Sequence, residues 1–144
     1  NLRHFFCEFG ARWLPRRGLS NHSIVKNKSN KMAFKWSAEE YSVKNGEMDE
    51  EHAGLFAGID KLDAERSLAA YEELVGKVLT HFADEEKLGL SDAHVDMHKG
   101  LVEIATAKMG ELKGGAAVDD ALVKLLQDWL MNHIKTTDMQ TYGK

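Results

Sequence analysis

Four stretches of this chain repeat apolar residues three and four apart, the spacing that lays side chains along one face of a helix. His52, Leu55, Phe56, Ile59 and Leu62 form the first stripe and predict a helix that starts near 47–51. The second runs from about 64 to 88 and turns Leu68, Tyr71, Leu74, Val75, Val78, His81, Phe82 and Glu85 to one side. Gly89 reads as its C-cap, and Ser91 or Asp92 as the N-cap of a third helix bearing His94, His98, Leu101, Val102, Ile104, Ala105 and Met109. Gly114 and Gly115 break the pattern, after which a fourth helix begins near Ala117 and presents Leu122, Leu125, Leu126, Trp129, Leu130, His133 and Ile134. Residues 32–46 carry Trp36, Tyr41 and Val43 without a helical period and read as an extended arm whose aromatics cap one end. Together these elements predict an all-α fold, an up-down-up-down antiparallel four-helix bundle with an N-terminal arm.

Composition agrees with helix and removes several classes of function. One proline among 144 residues, with Leu, Ala, Glu, Lys and Met plentiful, suits a single all-α domain. The lone Cys7 rules out an internal disulfide, a cysteine-based zinc site and an iron–sulfur cluster. No apolar run approaches the roughly 18 to 20 residues that span a bilayer. The net charge of −4 offers no overall attraction to nucleic acid. The expected protein is soluble and cytoplasmic, without membrane or nucleic-acid partners. It is expected to be a monomer, because each helix already has an inward face and no spare apolar stripe remains.

Charge divides the chain in two. Residues 1–31 hold seven basic residues (Arg3, Arg12, Arg16, Arg17, Lys26, Lys28, Lys31) against one acid, Glu8. That segment is therefore +6, and −10 falls on 32–144. Preceding Met32 and lacking a lasting apolar period, it reads as a basic leader or extension, disordered or loosely helical, with the bundle domain at 32–144. An organelle transit peptide and a basic arm for an anionic partner are the alternatives.

The histidines carry the chemistry. His81 and Glu85 lie four apart, as do His94 and His98, and each pair is in register with Phe82, Leu101 or Val102 rather than with the charged face. One histidine on an apolar face is ordinary core. Five of them on four inward faces, with Glu85 and Asp138, would leave polar groups buried at a cost of about 1 to 3 kcal/mol each unless a metal took them up. Seven ligands exceed what one ion accepts, so two ions bridged by both carboxylates fit the count. Imidazole suits iron, zinc and copper, and a dizinc or dimanganese pair is the alternative to iron.

The runs MDEEHAGLF (48–56), HFADEE (81–86), HVDMH (94–98) and WLMNHIKTTD (129–138) resemble the four signature segments of the hemerythrins, specifically the bacterial hemerythrin-like proteins. The resemblance spans 36–138. It implies that His94, His98 and His133 hold one iron and His52 and His81 the other, with Glu85, Asp138 and a solvent-derived oxo or hydroxo group bridging two Fe2+/Fe3+ ions. It further implies O2 as the ligand at an open position of the second iron, bound reversibly for carriage, storage or delivery rather than consumed by an enzyme. The pocket would comprise Leu55, Phe56, Phe82, Trp129, Leu130 and Ile134, with Leu130 nearest to the gas. Five neutral imidazoles and two carboxylates stabilise high-valent iron less than four carboxylates do, which agrees with reversible binding. Sensing of O2, NO or redox state, and peroxidase- or oxidase-like chemistry, are the competing readings. The chain departs from the usual pattern in its short link KLGLSDA between Glu86 and His94, which predicts a thinly covered site at that end and faster autoxidation or iron loss.

Overall fold

The structure, a computed structural model, describes residues 34–142; the leader expected at 1–31 lies outside the described residues. The arm is not wholly extended. Ala38–Tyr41 forms one helical turn, α1, whose amides bond back to the Ser37 carbonyl. Asp49 fastens the segment that follows, accepting from Ser42 Oγ at 2.6 Å and from the Val43 amide at 2.8 Å. This tie places Val43 fully out of solvent and packs Tyr41 against Phe56, on which Phe34 also stacks at 4.5 Å.

The first long helix, α2, is Gly46–Glu65, with Asn45 at its N-cap accepting from the Met48 amide. It reaches Glu65, and the next helix, α3, is Leu68–Lys87 rather than starting near Ala64. The break is set by Arg66 in the left-handed conformation and by Ser67, whose hydroxyl accepts from the Ala70 amide at 3.1 Å. The Arg66 guanidinium also donates to the Asp63 carbonyl at 2.8 Å and to Asp120 at 2.7 Å, tying this corner to the start of the last long helix.

The third long helix, α4, is Asp92–Lys113, capped by the Ser91 hydroxyl as expected, and Gly89 (φ +85°) supplies the left-handed turn before it. The fourth, α5, is Asp120–His133, later than the expected start at Ala117 because Asp119, accepting from the Leu122 amide at 2.8 Å, is the capping residue. The chain continues as a π-helical segment, Ile134–Asp138, and a last turn, α6, Met139–Tyr142.

Helix α2 packs on α3 and on α5, and α3 packs on α4, which is the antiparallel four-helix bundle predicted by the periodicity. Helices α2 and α3 come close at Gly58, where a Cβ would sit 2.9 Å from Leu74 Cδ1 and oblige that leucine to shift. Buried Tyr71 keeps its hydroxyl satisfied by donating to the Ala105 carbonyl at 3.2 Å. No helix among the described residues is long and apolar enough to cross a membrane.

Burial sorts the leucines. Leu62 is 0% exposed and Leu79 is 46% exposed. Leu62→Ala is expected to destabilise the fold by about 3 kcal/mol and Leu79→Ala by under about 0.5 kcal/mol, measured by urea denaturation. Similar losses at both positions would contradict this packing.

Candidate metal centre

Each helix of the bundle sends at least one polar side chain to the same interior point. His52 comes from α2, His81 and Glu85 from α3, His94 and His98 from α4, His133 from α5 and Asp138 from the π segment. All seven are at most 4% exposed. Their inward atoms form two groups, each within 4.8 Å: Glu85 with His94, His98 and His133, and His52, His81 and Glu85 with Asp138. Glu85 belongs to both. Asp138 spans them too, with Oδ2 lying 3.3 Å from His52 Nε2 while Oδ1 lies 3.2 Å from His94 Nε2 and 3.1 Å from His133 Nε2.

The last contact depends on local backbone geometry. His133 and Asp138 are five apart, and an α-helix would set them about 140° apart around its axis. A π turn closes i→i+5 hydrogen bonds and so stacks residue i+5 over residue i. Ile134–Asp138 is that turn, and it brings Asp138 onto the face of His133. Nothing in the apolar periodicity announces it.

These groups are close without being satisfied. Both oxygens of Glu85, both of Asp138, both ring nitrogens of His52 and Nε2 of His81 are buried and make no hydrogen bond. His133 Nε2 lies only 3.3 Å from His94 Nε2 and 3.2 Å from His98 Nε2, so three imidazole nitrogens crowd one point. Burial pulls the His81 imidazole down to about 4 and lowers that of His98, which leaves both neutral and able to donate lone pairs. Burial opposes ionisation of Asp138, but the close ring nitrogens of His133, His52 and His94 outweigh it and hold this carboxyl below its usual range. Imidazole nitrogens and carboxylate oxygens, aimed together and unpartnered, are the donor set of a divalent or trivalent cation.

Around this cluster sit residues that sequence reasoning did not assign. Glu51 Oε2 lies 2.7 Å from His81 Nδ1, a bond that places the ring proton on Nδ1 and frees Nε2 for the interior. An acid directly before an inward histidine, as in Glu51-His52, is the available signal, but the partner lies on another helix. Thr141 Oγ1 approaches His94 Nδ1 at 3.5 Å, and the Tyr142 hydroxyl is buried. These α6 residues bear on the expectation of a thinly covered site at the short link. His94 is 2% exposed and Glu85 0%, so the ligands nearest that link are enclosed.

Of the expected pocket residues, Phe82 stacks on His98 (3.7 Å, 5°) and Trp129 on His133 (4.4 Å, 13°). Leu55, Phe56, Leu130 and Ile134 are each at most 3% exposed, with Phe56 turned towards the arm aromatics.

A family model described as Hemerythrin HHE cation binding domain matches residues 44–144. The chain belongs to the hemerythrin family. A hemerythrin-like protein of Naegleria gruberi is 38% identical over 117 residues, covering 76% of this chain and 92% of that protein. A myohemerythrin of Theromyzon tessulatum is 37% identical over 119 residues (77% and 92%), and a bacteriohemerythrin of Methylococcus capsulatus is 30% identical over 122 residues (75% and 92%). The crystal structure of a wild-type hemerythrin superposes with a TM-score of 0.70 at 26% identity, covering 76% of this chain and 95% of that one. Membership in the hemerythrin family, with the buried histidine–carboxylate cluster, supports iron as the metal and O2 as the ligand.

Two opposed proton equilibria meet at His81 and Glu51. His81, buried and neutral, contributes stability that is lost as pH falls from about 6.5 towards 4, because the unfolded imidazole takes up a proton first. Glu51 is raised to about 7 by burial and by Asp84, so its contribution is lost as pH rises from about 4.5 to 7. Glu51→Gln removes the second contribution and keeps an acceptor for His81. In metal-free protein, the stability of this variant is expected to decline more steeply than the parent's between pH 6.5 and 4.5, by about 1 kcal/mol once solvent screening of the partly exposed Glu51 is allowed for. Parallel urea-denaturation curves across that window would count against the assignment.

Proposed function

We propose that this hemerythrin domain, residues 32–144, binds O2 reversibly at a pair of irons and serves in oxygen carriage, storage or delivery. The observation that carries this reading is the pair of buried, unpartnered carboxylates, Glu85 and Asp138, each facing both groups of imidazoles. His94, His98 and His133 would hold one ion, His52 and His81 the other, and Glu85 and Asp138 would bridge the two together with an oxo or hydroxo group. Iron held by these residues would supply the electrons for taking up and releasing O2.

The protein's own part is enclosure and charge. Asp138, held ionised by its histidine neighbours, balances cationic charge in a site from which bulk water is excluded. Phe82 and Trp129 fix the His98 and His133 rings by stacking, so that the nitrogens converge without loss of side-chain freedom at each binding event. Glu51 orients His81 from outside. The hemerythrin domain is read as a monomer, because Leu79 and Leu88 are the exposed large hydrophobics among the described residues and do not make a contiguous face.

Protein loaded anaerobically with ferrous iron is expected to hold two irons per chain. It is also expected to show a visible charge-transfer band that appears with O2 and disappears on purging. An irreversible diferric spectrum in air would overturn the carrier role and favour sensing or oxidase chemistry. In the same material, Glu51→Gln is expected to release iron to a chelator about tenfold faster than the parent, since support of a ligating histidine typically contributes 10- to 100-fold to metal affinity. Unchanged release would remove Glu51 from the site.

A further inference from the structure

Two surface grooves abut the metal cluster from different sides, and each has one candidate ligand in its wall. The groove between α2 and α3, about 520 Å³, has Leu55, His81, Glu51 and Thr80 in its lining, the charged Glu73 and Lys77 beside them, and Gly54 and Gly76. The groove between α3 and α4, about 350 Å³, is lined by Phe82, Ala83 and His98. Counting the donors that face each group, the His94, His98 and His133 side has three imidazoles and the His52 and His81 side has two, with Glu85 and Asp138 shared. The α2–α3 groove therefore abuts the half with fewer protein ligands.

Its shape follows from glycine placement. The two helices are drawn together at Gly58, where a Cβ would meet Leu74 at 2.9 Å. One turn nearer the cluster, at Gly54, and at Gly76 on the other helix, a Cβ would meet nothing within 4 Å, so the groove stays open at these two positions while Glu51 crosses from α2 to His81 at its floor. Glycine costs an exposed helix interior stability relative to alanine, and no close approach or positive φ at either position demands it. Leu55 and His81, 3% and 2% exposed, form the inner wall.

Resting on the iron reading above, we infer that the α2–α3 groove is the passage by which a small diatomic or triatomic ligand reaches the His52 and His81 side, and that Gly54 and Gly76 keep it open. A passage changes how fast a ligand arrives and leaves, and leaves its equilibrium untouched. At both glycines a Cβ starts into open space, so Gly54→Leu or Gly76→Leu places its side chain in the groove and favours the helix.

Stopped-flow binding of azide to the oxidised, iron-loaded protein tests this whether or not the O2 complex proves reversible. Both leucine variants are expected to lower the association and dissociation rates together by about tenfold, with the azide dissociation constant and the iron content unchanged. Ala83→Leu, which fills the α3–α4 groove instead, is expected to leave both rates at the parent's values. The passage is overturned if the leucine variants bind azide at the parent's rate, if only their dissociation constant moves, or if Ala83→Leu alone slows binding. Two irons per chain without slowed azide binding would sink the passage and spare the function, whereas failure to load iron would sink both.

Discussion

Burial of seven polar side chains at one point is the constraint from which the rest of this bundle follows. Without a cation, unpartnered oxygens of Glu85 and Asp138 face unpartnered nitrogens of His52 and His81 in a space closed to solvent. Such groups cost about 1 to 3 kcal/mol each when left unpaired. A core of leucine and phenylalanine in the same volume would fold more stably than the metal-free protein. The polar interior is intelligible only as a binding site, and the surrounding helices have to be placed accurately enough for every ligand to arrive at once.

Helix boundaries meet that demand through caps. Ser91 caps α4 through the amide of His94 itself, so the residue that starts the helix also fixes the backbone of a ligand. On the preceding helix, Glu85 lies only three residues before the C-cap at Leu88. The short connection thus holds Glu85 and His94 near the end of their helix pair, and the buried Tyr142 hydroxyl and Thr141 lie at the same end of the site. Arg66 does the corresponding work at the opposite corner, joining the α2–α3 turn to Asp120 at the start of α5.

How much of this was visible in the chain depends on whether the feature is local. The four helices, the glycine breaks and the i, i+4 pairs were legible because periodicity and spacing are properties of neighbouring residues. The starts at Leu68 and Asp120 fall four and three residues later than expected, since the apolar stripe does not distinguish helix from a flanking cap and Ser67 and Asp119 decided the matter. The π turn was hidden because it accommodates Asp138 against three other helices, and no local preference encodes that target. Glu51 was hidden for the same reason: its partner, His81, is thirty positions away on another helix.

The last turn of the chain gives the π segment a second meaning. A helix of four residues, Met139–Tyr142, is far too short to persist by its own hydrogen bonds. It continues directly from Asp138, a residue anchored among three histidines of the interior. Order in Met139–Tyr142 therefore depends on Asp138 keeping its place among the histidines, and any shift of Asp138 would carry Thr141 and the buried Tyr142 hydroxyl with it.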